Sequence, residues 1–113
     1  VKNNSMATFE KETKFNLENS IEYTDGGVIS KQITKSKGGN LTLFSFDKEQ
    51  GLSEHKTPFD AIVQILDGEA EITIGSNLHK LEKGDCIIMP ANIPHALKAV
   101  ERFKMLLTMI KQE

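Results

Sequence analysis

Residues 84–96 read GDCIIMPANIPHA, and residues 65–72 read ILDGEAEI. In the first stretch a short apolar run, Cys86 to Met89, lies between the turn chemistry of Gly84-Asp85 and Pro90. Proline has no N–H to give to a strand ladder, so the run reads as a buried strand that stops there. Ala91 to Pro94 then form a rigid loop that delivers His95 to the next apolar segment. In the second stretch Asp67-Gly68 is a hairpin signal. It separates AIVQIL (61–66), apolar on both faces, from EAEITIG (69–75), where Ala70, Ile72 and Ile74 alternate with Glu69, Glu71 and Thr73. Period-2 alternation marks a strand with one buried face.

The same reading extends in both directions. GVISKQITKS (27–36) and LTLFSFD (41–47) read as strands around the breaker Ser36 to Asn40, the latter with apolar residues on both faces. Gly51 opens a loop into SEHKTP, and LHKLEKGD (78–85) gives a short strand and a turn. HALKAV (95–100) and RFKMLLTMIK (102–111) read as the last two strands, Phe103, Met105, Leu107 and Met109 sharing one parity and Leu106 and Ile110 the other. Phe9 to Leu17 has room for a helical turn, but no long amphipathic helix is present. Many short strands with closely spaced turns predict an all-β antiparallel sandwich or barrel.

Composition narrows the function. The 113 residues are 38% hydrophobic and 27% charged, which predicts one domain over 1–113. Met6 reads as a natural start, with residues 1–5 a remnant ahead of it. A formal net charge of −2, with Arg102 the only arginine, gives nucleic acid no basic stripe to bind. No apolar run reaches membrane-spanning length and no signal peptide is visible, so a cytoplasmic protein is expected. The single cysteine, Cys86, excludes an internal disulfide and reads as a buried core thiol rather than a nucleophile.

With these residues in view, positions 40–110 resemble the cupin superfamily, whose fold is a double-stranded β-helix or jelly-roll barrel of antiparallel strands. The family's first motif runs Gly, His-x-His, Glu, Gly; here Gly51, His55, Thr57, Ala61 and Gly68 fall along that frame. Its second motif runs from a glycine to Pro-x-x-His, here in a longer form with Gly84, Asp85, Pro90, Pro94 and His95, and with no counterpart to its asparagine. The resemblance implies a barrel. It says little about activity, because unrelated chemistries share this fold.

Members with the full pattern hold a first-row metal with three histidines and a glutamate, the carboxylate offsetting cation charge. Here His55 and His95 remain, Thr57 stands at the second histidine and Ala61 at the glutamate. Asp60 is a possible extra donor only if a bulge turns it inward, since Asp60 and Gln64 lie one register off Ala61. Two neutral histidines make a weak divalent site. Three readings of His55 and His95 therefore stand together: a satisfied pair lining a pocket, a weakly bound divalent first-row metal, and proton transfer without metal. Parity predicts Ala61, Val63 and Ile65 lining the pocket beside Thr57, with Ala70, Ile72, Cys86, Ile88, Leu97 and Met105 nearby. Replacing a glutamate and a histidine by Ala61 and Thr57 predicts a larger, less charged cavity for a small organic ligand. Phe59 either covers its mouth or packs under the loop, and His79 packs at a barrel end.

Two classes of function follow. One is an enzyme acting on a small molecule, with no catalytic residue assigned beyond the two histidines. The other is a non-catalytic binding or sensing module with a degenerate metal site. The resemblance also implies a homodimer, with GGVISKQITKS (26–36) at its interface.

Overall fold

The computed structural model describes residues 9–112, so the reading of Met6 and of the residues before it lies outside the described residues. Seven strands follow in order: β1 Val28–Ser36, β2 Gly39–Phe46, β3 Gly51–His55, β4 Phe59–Ile74, β5 Asn77–Glu82, β6 Cys86–Met89 and β7 His95–Lys111. The described helix is a 3-10 turn at Glu18–Ser20, just beyond the Phe9 to Leu17 segment where a helical turn was expected. No helix among the described residues is long and apolar enough to cross a membrane.

All pairings are antiparallel, and the sheet order is β1-β2-β7-β4-β5, with β3 on β7 and β6 on β4. Two long strands fold this sheet into an all-β jelly-roll barrel. The first part of β4, Phe59 to Gly68, pairs with the last part of β7, Phe103 to Lys111; Ala70 to Ile74 pair with His95 to Ala99. One half of the barrel is therefore β1, β2, β7, β4 and β6, and the other is β3, β7, β4 and β5.

This arrangement corrects three sequence expectations. Asp67-Gly68 is not a hairpin turn but the bend inside β4, where the register shifts at Ile65/Asp67 and again at Gly68/Ala70. Gly68 has φ +79°, and a Cβ there would strike the carbonyl oxygen of Arg102. Glycine in a strand interior commonly marks such a bulge or close approach. The bulges move the buried positions from odd (Ala61, Val63, Ile65) to even (Ala70, Ile72). Likewise 95–111 is one strand rather than two, because both of its halves find partners on β4. Gly51 to His55 is a strand and not a loop, since Gly51 lets the backbone close on Leu97 of β7.

The barrel interior is filled by Phe46, Val63, Ile65, Ala70, Ile72, Leu97, Ala99, Phe103 and Met105 among others. Burying each large side chain contributes about 1.5–3 kcal/mol. Phe46 and Phe103 stack with centroids 4.5 Å apart. Outside the barrel wall, Ile21, Leu43 and Leu66 form a second cluster with Phe9, Leu17, Ile29, Ile33 and Leu106. The N-terminal segment thus covers the outer face of β2, which is why that strand is apolar on both sides.

Candidate functional site

Strand β6 sets the lining of the barrel mouth. It pairs with β4 so that Ala61 faces Met89 and Val63 faces Ile87. Residues directly opposite in an antiparallel pair share a sheet face. Ala61 and Val63 point inward, so Met89 and Ile87 do too. Cys86 and Ile88 then point outward and are exposed. The expected buried thiol and the inward Ile88 are corrected by one step of register.

A cavity of about 40 Å³ opens at this end, lined by Leu52, His55, Thr57, Ala61, Met89, His95, Leu97, Met105, Leu107 and Met109. His55, His95, Thr57 and Ala61 stand where the motif frame put them. Val63 and Ile65 do not line it; both are fully enclosed in the core below. At about 40 Å³ the cavity is small. Met89 and Met109 flank Ala61 on its two neighbouring strands and take up the space. Those methionines and Leu107 were not assigned to the site from sequence, although the odd parity of Met105, Leu107 and Met109 was visible.

The two histidines meet because β3 pairs with β7 at His55 and His95. Their ring centroids lie 4.4 Å apart at 71°. His55 is exposed at the rim, whereas His95 is buried. Nδ1 of His55 lies 2.7 Å from the Ser53 carbonyl and Nδ1 of His95 lies 3.2 Å from that of Ile93. A carbonyl only accepts, so these contacts put the proton of each neutral ring on Nδ1 and leave Nε2 with its lone pair. Burial, and then the neighbouring His55, push the His95 pKa below its usual 6.5, against a smaller opposing effect from the Ile93 carbonyl.

The remaining candidate donors are engaged elsewhere. Thr57 Oγ1 donates to the Phe59 carbonyl at 3.2 Å and accepts from the Phe59 N–H at 3.1 Å. Asp60 does not turn inward: its Oδ1 accepts from the Ala91 N–H at 2.9 Å, while the Asn92 N–H reaches the Thr57 carbonyl at 2.7 Å. These two bonds tie the β3–β4 loop and the start of β4 to the Pro-bounded loop before His95, and this is the role the structure gives Asp60. Gln64 pairs opposite Cys86, on the outward side of β4. Phe59 and His79 are absent from the cavity lining. Among the described residues no three His, Cys, Asp or Glu side chains gather as a metal group. The fourfold histidine–carboxylate set that the motif implies does not fit these residues, because the carboxylate and third imidazole have no substitute of their kind.

The Cupin domain family model matches residues 42–111. The chain belongs to the cupin family. Solved structures agree with it across most of its length. A cupin superfamily protein from Desulfitobacterium hafniense is 30% identical, with TM-score 0.86 over 93% of this chain and 96% of that one. A conserved protein of unknown function from Streptococcus pyogenes is 39% identical, with TM-score 0.88 over 94% and 93%. A cupin 2 conserved barrel domain protein from Leptotrichia buccalis is 40% identical with TM-score 0.83, and this cupin spans 47% of that longer chain. No curated protein matches the sequence.

Proposed function

We propose that this cupin is a small cytoplasmic binding module, which takes its ligand in the barrel mouth between His55 and His95. The observation that carries the reading is the paired imidazoles set at the rim of an otherwise apolar cavity. Few polar groups on an apolar wall is the usual composition of a ligand site. The volume of about 40 Å³ has room for two or three waters, so the ligand is small or inserts a small end. Methionine adapts its shape readily, which lets the wall yield to an entering group. The exposed edge strand β1, paired among the described residues with β2 alone, supports a homodimer.

The test is a thermal-shift screen of small metabolites against the parent protein and His95→Ala. A true ligand raises the midpoint of the parent and not of the variant, because binding only the folded state stabilises it by about 2.7 kcal/mol at a hundredfold excess over Kd. A ligand that stabilises both equally would remove the histidine pair from the site.

A second reading, proton-transfer catalysis, is favoured by the burial that pushes the His95 pKa below its usual 6.5. A general base must be unprotonated at working pH. Turnover of a bound ligand, lost in His95→Ala, would select this reading over simple binding.

A further inference from the structure

We propose that the cavity is a copper(I) site, with Nε2 of His55 and His95 and the thioethers of Met89 and Met109 as its donors. The inference deepens the binding reading by naming a soft monovalent cation as occupant of the same mouth.

Three observations meet here. The first is register. Ala61, at the position where the motif would carry a carboxylate, faces Met89 on one neighbouring strand and Met109 on the other. Side chains directly opposite stand about 5 Å apart at Cβ, so two methionine side chains flank the vacated position, and both residues line the cavity with the imidazoles. The second is charge. Every donor in this set is neutral, and among the described residues no carboxylate lines the cavity. A divalent ion would be left without charge compensation in an apolar wall, whereas a monovalent ion requires far less of it. Thioethers are soft donors that select copper(I), and imidazole also suits copper. The third is availability. The ring contacts to Ser53 and Ile93 occupy Nδ1 on both histidines and leave Nε2 to bind an ion. Second-sphere contacts of this kind fix the tautomer of metal-binding histidines. A bare ion is far smaller than the cavity, and the flexible methionine side chains have the reach to close on it. Met105 also lines the cavity but pairs with Ile65 rather than with Ala61, and Cys86 faces outward, so neither is placed in the donor set.

The experiment is anaerobic competition for copper(I) against a chromophoric chelator, using the full chain carrying Cys86→Ser so that the exposed thiol does not contribute. Stoichiometric uptake is expected. Adding Met89→Leu and Met109→Leu should weaken copper(I) by roughly 10–100-fold, the range seen when even an outer-sphere partner of a metal is disturbed. Zinc(II), measured in parallel, should bind weakly and be unaffected by the leucine changes. X-ray absorption of the loaded protein should show both sulfur and nitrogen scatterers. Failure of the Cys86→Ser protein to compete for copper(I) would overturn the proposal, as would unchanged affinity in the leucine variant. Should that variant not fold, a nitrogen-only shell in the parent decides against it. An organic ligand that stabilises a protein unable to take copper(I) would leave the binding module standing and remove the copper site alone.

Discussion

The two ends of the barrel interior are built from different chemistry. Where β4 and β7 bend, the floor is aromatic: Phe46 stacks on Phe103 at 4.5 Å and on Phe44 at 5.8 Å, with near-parallel planes of 13° and 16°. Where the same strands begin and end, the mouth is lined by methionines, leucines and two imidazoles. Rings of fixed shape fill the floor and leave no room for adjustment. The mouth has side chains with several rotatable bonds around a residual cavity. One end therefore holds the fold and the other is free to accommodate an occupant. Fixed packing and adaptable packing are separated along the same strands.

Substitutions at the floor should break this contrast most severely. Phe103→Ala removes a fully buried ring and should cost about 3–5 kcal/mol. The check is the midpoint shift in urea denaturation. Gly68→Ala places a Cβ at φ +79° against the Arg102 carbonyl. It should cost about 1–3 kcal/mol from backbone strain alone, read by the same denaturation. At the mouth, Met109→Leu conserves volume and should change stability by less than about 1.5 kcal/mol; a loss as large as that of Phe103→Ala would show that the mouth is as rigid as the floor.

The smallest effect expected is on pH dependence. His95, with His55 facing it, titrates below its usual 6.5 in the folded chain. As pH falls below 6.5 the unfolded chain takes up a proton that the folded chain resists, so stability declines toward acid until the folded pKa is passed. Comparing urea midpoints at neutral and mildly acidic pH for the parent and His95→Gln should show a shallower decline in the variant. An identical slope would mean that His95 is not held neutral by the mouth.

Much of this contrast was legible before any coordinates. The alternation of Ala61, Val63 and Ile65, and the shared parity of Phe103, Met105, Leu107 and Met109, fixed which faces turn inward within each segment. Period-2 patterning is a local property, so it survives being read one strand at a time. The motif frame likewise led to His55 and His95 as neighbours. What could not be read locally was register between strands. Cys86 to Met89 is apolar at every position, so its sequence is equally compatible with either face inward, and only pairing with Ala61 and Val63 selects Ile87 and Met89. Asp67-Gly68 carries the same residues as a hairpin turn; only the pairing of β7 along both sides of it shows a bend. Asp60 was weighed as a donor because a carboxylate close to a motif attracts that reading, yet its partner, Ala91, comes from a loop remote in sequence.

By itself, then, the sequence determined an antiparallel all-β fold through local alternation and, through the resemblance of its motifs to those of cupins, a barrel with two histidines at its mouth. Tertiary structure alone decided what surrounds those histidines. The placing of Met89 and Met109 beside Ala61, the outward turn of Cys86 and the tie between Asp60 and Ala91 depend on which residues face each other across strands. That pairing is set by the packing of the whole barrel, and no single strand encodes it.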